Sequence, residues 1–196
     1  MPLSKDRIIE QAIALLNSEG ADGLTMRLLA KSLDIKAASL YWHFRDKAEL
    51  CSAIAETLCA RMSIPGETDP PLRFLWDYFY QLRDILLSVR DSAGIFQDAA
   101  PFAPNRATIT RAVCSAFLAL GVKEQQATVV SSLFHHYVLS FVADEHRSRT
   151  AAGREVCFLA ESLPPRDKPL FAAPANPERQ FAYGLRLLFE GLEHAR

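Results

Sequence analysis

The stretch Leu24–Lys47, LTMRLLAKSLDIKAASLYWHFRDK, constrains this chain more than any other part of it. It reads as two short helices around a tight turn, with a third helix starting at its end. The Thr25 hydroxyl can accept a free backbone N–H of the first turn, which predicts an N-cap there. Leu24 and Leu29 stand at hydrophobic-staple spacing around it and set the entry angle of the chain. Leu28, Leu29 and Leu33 supply an apolar face. Asp34-Ile35 makes the turn, Ala37–His43 the second helix, and Leu40 and Phe44 turn inward. Asp46 caps the following helix, with Glu49 at capping-box spacing. A helix-turn-helix of this kind lays its second helix in the major groove of DNA.

The residues of that second helix suit the role. Ala37, Ala38 and Ser39 are small enough for a close approach to base edges, and Ser39 can donate or accept there. Tyr41, Trp42, His43 and Lys47 lie further along, within reach of the phosphates, and Arg27 and Lys36 flank the same face. Between Thr25 and Lys47 five Lys or Arg face two Asp, although the 196-residue chain has a formal net charge of −1. Basic charge confined to one segment of a near-neutral chain fits a local DNA contact. The same leucines would also serve a plain three-helix core. Against that stands the run Tyr41-Trp42-His43, because consecutive helical residues face different directions and cannot all be core.

The rest of the chain predicts helices. An opening helix spans Ile8 to Glu19. After the Leu24–Lys47 unit come Lys47–Met62, Leu72–Val89, Ala93–Ala99, Arg106–Leu120 and Glu124–Arg147, each with apolar residues at three-to-four spacing. Gly121 sits where a helix C-terminus needs a left-handed residue. Gly153–Leu163 reads as a short helix, Pro164–Pro177 as a loop holding five of the eleven prolines, and Glu178–His194 as the last helix. The expected class is all-α, about nine to ten helices, with a helix-turn-helix domain over 1–47 and a larger helical domain over 48–196. Glu124–Arg147 and Glu178–His194 carry more apolar and aromatic surface than one neighbour needs, notably Phe134, Phe141, Phe181, Tyr183 and Phe189. Such stripes either complete the monomer core or form a dimer interface, and the aromatic surplus favours the interface.

The first sixty or so residues resemble the DNA-binding domain of the TetR family of transcriptional repressors. The matching stretches are Ile8 to Glu19, Gly23-Leu24-Thr25, Leu29-Ala30, and Leu40-Tyr41-Trp42-His43-Phe44 with Lys47. Leu-Tyr-Trp-His is closest to the tetracycline-responsive members. Arg90-Asp91 and Val142 to His146 extend the likeness into the second domain. The resemblance implies a homodimer reading a palindromic operator in double-stranded DNA, and a small-molecule inducer bound among the helices of the second domain. Tetracycline-responsive members hold a drug–magnesium chelate with His, Asn and Thr. Laid along that pattern, this chain has Ser63 for the first His, Tyr78 for the Asn and Leu82 for a Phe. It has Phe96 for the metal-binding His and Ala99 for the Thr. Magnesium requires oxygen-rich shells, so the pattern implies a metal-free, largely apolar inducer. The implied pocket comprises Tyr78, Leu82, Phe96, Phe102, Phe117 and Phe134, with Ser63 and His135 as polar contacts.

Other chemistry finds little support. At 49% hydrophobic and 23% charged residues the chain can bury a core. No apolar run reaches the roughly 18 residues of a membrane span. The polar start, Lys5-Asp6-Arg7, does not read as a signal peptide, and the expected location is the cytoplasm. Cys51, Cys59, Cys114 and Cys157 form no CxxC pair and read as reduced thiols. His135 and His136 point about 100° apart on a helix and make a poor metal pair. His135 is either a polar handle for a ligand or a satisfied core histidine. No Ser-His-Asp order, Gly-rich phosphate loop or Walker motif occurs, so no catalytic residue, metal or cofactor is predicted. The competing class is an all-helical small-molecule binder or enzyme without DNA function. The small-residue helix followed by Tyr41-Trp42-His43 and Lys47 separates the two, because a binder or enzyme has no use for it.

Overall fold

The computed structural model describes residues 3–64, 70–100, 103–148, 164–166 and 176–194. Among them are nine helices and no strand. These are α1 (Lys5–Glu19), α2 (Met26–Ser32), α3 (Ala37–Tyr41), α4 (Lys47–Cys59) and α5 (Pro71–Leu87). Then come α6 (Ser92–Asp98), α7 (Pro104–Ala119), α8 (Glu124–Ser148) and α9 (Pro177–His194). The helix expected over 153–163, most of the proline-rich loop, Phe102 and Cys157 lie outside the described residues.

Local chemistry explains the helix ends. Ser4 caps α1, Thr25 Oγ1 accepts the Leu28 N–H at 3.1 Å, and Asp46 Oδ1 accepts the Glu49 N–H at 2.8 Å. Each such cap contributes about 1 kcal/mol. Glu49 returns its carboxylate to the N–H of Arg45, one residue before the cap, at 2.7 Å. The turn after α2 is a Schellman closure: Ile35 N–H bonds Ala30 O at 3.0 Å and Asp34 N–H bonds Lys31 O at 3.2 Å. It needs a left-handed residue, and Asp34 has φ 54°. Gly121, with φ 89°, closes α7 in the same way through Val122 N–H to Phe117 O. The second helix of the motif is shorter than predicted: it ends at Tyr41, and Trp42 and His43 form a turn, closed by His43 N–H to Leu40 O at 2.9 Å, that leads into buried Phe44. Pro104 opens α7 at its first position, where no N–H is needed.

Two regions share one core. In the first, Ile8, Ala12 and Leu16 of α1 pack with Leu24, Leu29, Leu40 and Phe44, all at most 1% exposed. Helix α4 is common to both, packing on α1 and on α6 and α7. The second region is built on α5, α7, α8 and α9 around a ring cluster. Phe134 lies 5.2 Å from Phe79, 5.0 Å from Phe117 and 4.7 Å from Phe189, between centroids. Phe181 contacts Tyr80, Tyr137 and Phe141. The aromatic surplus expected at a dimer interface is therefore mostly spent inside the chain: Phe134, Phe181 and Phe189 are buried, Phe141 is half-buried, and Tyr183 alone of the five is exposed. Gly184 lets α8 and α9 approach, since a Cβ there would run into the Tyr137 hydroxyl, which donates to Phe181 O at 2.9 Å. Arg83 bridges the same helices through a buried 2.9 Å ion pair with Glu145, its guanidinium 5.2 Å from the Phe181 ring centroid. No described helix is long and apolar enough to cross a membrane.

Candidate functional site

The turn and caps hold α3 by one buried residue, Leu40, and leave its other faces open. Ala37 and Ala38 are exposed and Ser39 is half-exposed. Tyr41 is 54% and Trp42 89% exposed. A Trp so placed contributes nothing to the core, which disposes of the plain-bundle alternative for this segment. His43 is half-buried, and Lys47, at the start of α4, reaches Ala21 O at 3.4 Å. Thr25 accepts the Leu28 N–H and keeps its own O–H for a donor role. Arg27 and Lys36 border one shallow hollow beside Ala37, and Lys31 joins them there. Lys31 is absent from the predicted set, yet its i+4 spacing from Arg27 places both on one helix face.

The second feature is a cavity of about 560 Å³ lined by residues of α4 to α8. Tyr78, Leu82, Phe96 and His135 of the predicted pocket line it, as does Ala99. Three predicted residues do not. Phe117 and Phe134 are directed into the ring cluster and are at most 1% exposed. Ser63 lies exposed beyond α4, its N–H bonded to Gln81 Oε1 at 3.0 Å. The wall is more polar than the sequence predicts, because Gln97, Arg106, Thr110, Thr128, Ser131, Ser132 and His136 also face it. Among the described residues no group of three or more His, Cys, Asp or Glu could hold a metal. Cys59 also lines the cavity, and burial pushes its thiol up to about 11, so it stays protonated.

Hydrogen bonding fixes the protonation of His135. Its Nδ1 lies 2.7 Å from Ser131 O, which can only accept, so Nδ1 carries the proton. Burial pulls the imidazole below its usual value of 6.5, with Arg106 and His136 adding to the effect against the Ser131 bond. Neutral His135 then accepts at Nε2 from the Tyr78 hydroxyl, 2.5 Å away. Burial in turn raises the Tyr78 phenol, so that hydroxyl remains a donor.

Arg106 occupies the first turn of α7, where the helix dipole disfavours a cation. Two arrangements compensate. Glu56 of α4 accepts the N–H groups of Asn105 at 2.6 Å and Arg106 at 3.3 Å. The guanidinium turns back to the end of α6, donating from Nη1 to Ala99 O at 2.9 Å and Ala100 O at 2.8 Å, and from Nη2 to Phe96 O at 3.4 Å. It also lies 5.5 Å from the Phe96 ring centroid. The misplaced cation in a first turn was the sequence signal for Arg106; Gln97, Thr128 and Ser132 carried none. Helix α4 thus joins both features: it packs on α1, lines the cavity with Cys59, and is bonded to the residues around α6 and α7 through Glu56 and through Ser52, whose Oγ accepts Ala100 N–H at 2.9 Å.

An exposed helix on a locked helix-turn-helix, joined through a shared helix to a helical domain around a cavity, is the architecture of a transcription regulator. Residues 8–54 match the family described as "Bacterial regulatory proteins, tetR family", and residues 73–196 match "Tetracyclin repressor-like, C-terminal domain". The chain belongs to the TetR family. It is 31% identical over 197 residues to the tetracycline repressor protein class E of Escherichia coli, covering 96% of this chain and 90% of that protein. The crystal structure of the Streptomyces coelicolor TetR family protein ActR in complex with actinorhodin matches with TM-score 0.82 at 26% identity, over 100% of this chain and 99% of that one. The crystal structure of BioQ with its double-stranded DNA operator matches with TM-score 0.74 at 28% identity, over 97% of this chain and 98% of that one. These relatives are transcription regulators or members of their families rather than enzymes.

Proposed function

We propose that this protein is a cytoplasmic repressor that binds a palindromic operator as a homodimer and leaves it when a small molecule fills the cavity. The observation that carries the DNA reading is Trp42, 89% exposed beside exposed Ala37, Ala38 and Tyr41 on a helix anchored from behind by Leu40. Residues 1–47 form the reading head. Ala37, Ala38 and Ser39 read bases; Thr25, Arg27, Lys36, Tyr41, Trp42, His43 and Lys47 hold phosphates and sugars. Val129 and Leu133 of α8 and Tyr183 and Leu187 of α9 remain 48–68% exposed on two adjacent helices, and a second copy covers them. The inducer sits among Tyr78, Leu82, Phe96 and His135, and α4 transmits its arrival to the head. To release DNA it must favour the arrangement in which the two heads no longer fit one duplex, because equal affinity for both states shifts nothing.

Selection of bound duplexes from a random pool by the purified protein tests this reading. A two-fold symmetric consensus with half-sites one helical turn or a multiple apart is the expected result. A pool without enrichment would refute it.

A further inference from the structure

We propose that the cavity takes an aromatic carboxylate, its anion held by Arg106 and its ring system between Phe96 and Tyr78. This rests on the reading of the cavity as the effector site. None of the described residues lining the cavity is Asp or Glu, whereas Arg106 is among them. Among the described residues no carboxylate lies within ion-pair distance of the Arg106 guanidinium, and the nearby Glu56 carboxylate is engaged by two backbone N–H groups of α7. A guanidinium has five N–H donors. Three are taken by Ala99, Ala100 and Phe96 carbonyls, which hold the group in place and leave two donors for a ligand. Arg106 Nε has no partner among the described residues and is not among the buried atoms lacking one, so it keeps access to solvent or a ligand.

A fixed guanidinium with two free donors suits a planar carboxylate, and the absence of acidic groups removes any repulsion of an anion. The other polar groups reinforce this preference: Thr110, Thr128, Ser131 and Ser132 offer hydroxyls, and the Tyr78–His135 pair is closed on itself. A divalent cation, by contrast, would meet Arg106 and, among the described lining residues, no carboxylate. The aromatic part follows from Phe96 and Tyr78 on the walls, with Leu82, Ile109 and Leu139 completing an apolar body site.

The test compares anthracene-2-carboxylate with anthracene-2-carboxamide, which has nearly the same shape and no charge, by titration against the full-length protein. The carboxylate should bind the native protein at least tenfold more tightly. Arg106→Gln should abolish that preference by weakening the carboxylate about 10- to 100-fold and the carboxamide less than threefold, while Arg106→Lys should keep part of it. Equal affinity of the two probes for native protein, or no binding of either at millimolar concentration, would overturn the inference, and neither comparison depends on a variant folding. Operator binding by the same preparation is measured alongside. If it persists while the probes fail, the ligand class is wrong and the repressor reading stands; if it is absent, the regulatory reading itself has failed.

Discussion

The Asp91 carboxylate accepts the backbone N–H of Ala21 at 2.9 Å, tying residues seventy apart in sequence. Arg90 adds its N–H to Asn17 Oδ1 at 2.9 Å and its Nη1 to Ser18 O at 3.1 Å, placing a cation at the C-terminal carbonyls of α1. These bonds fasten the helix-turn-helix unit to the turn between α5 and α6, at a point separate from the shared helix α4. Gly20 makes the approach possible: its φ is 79°, and a Cβ there would stand 2.8 Å from Asp91 Oδ2.

Gly20→Ala should therefore destabilise the protein by about 1–2 kcal/mol from the left-handed backbone alone, with a further loss from displacing Asp91. Thermal unfolding measures the first effect. Operator affinity measures whether the head has come loose, and an unchanged midpoint would contradict the contact.

Trp42 and Lys47 separate binding from stability. Trp42→Ala should leave stability within about 0.5 kcal/mol, as expected of a surface residue, and weaken operator binding about tenfold. Lys47→Ala should weaken binding to all sequences and lower the slope of log affinity against log salt by about one. Ser39→Ala should instead change the preferred base at one operator position. A Lys47→Ala protein with unaltered salt dependence would place the DNA elsewhere.

The neutral state of His135 predicts a pH dependence. Its imidazole lies below 6.5 in the fold and returns to that value on unfolding. As pH falls through the window between the two, the unfolded chain takes up the proton first, so the native state loses stability; above 6.5 this contribution is constant. Denaturant unfolding at pH 5 and pH 7.5 should show a larger difference for native protein than for His135→Gln. Equal differences would mean that folding leaves the His135 imidazole at its ordinary value.

Assembly is testable through the exposed stripes. Leu133→Glu or Leu187→Glu places a charge where an apolar contact is proposed, and each should shift sedimentation from a two-chain species toward monomer at low micromolar concentration. Because both side chains are about half exposed in the single chain, neither substitution should alter the helical content. A dimer undisturbed by both would locate the interface on other surfaces.

Much of what depends on neighbours within a few residues was legible in the chain itself, though not the end of α3 at Tyr41. The Thr25 and Asp46 caps, the left-handed Gly121, the Leu24–Leu29 staple and the core sides of α2 and α5 follow from hydroxyls, carboxylates and spacing that act over one helical turn. The exposed face of α3 belongs to this kind: small residues, then Tyr41 at the helix end and Trp42 and His43 in the turn after it, leave little room for a core assignment. The cavity does not. Phe96 and Phe134 are both aromatic residues on amphipathic helices, yet one faces an opening and the other three rings. Helical periodicity says that a residue turns inward and is silent about whether it meets another side chain or a void. That depends on how α5, α7 and α8 cross. The polar wall likewise comes from three different helices, α6, α7 and α8, each contributing one to a few groups that look like ordinary surface residues in their own segment. Only the packing of those segments brings Arg106 beside Phe96, Tyr78 onto His135, and Asp91 against Ala21.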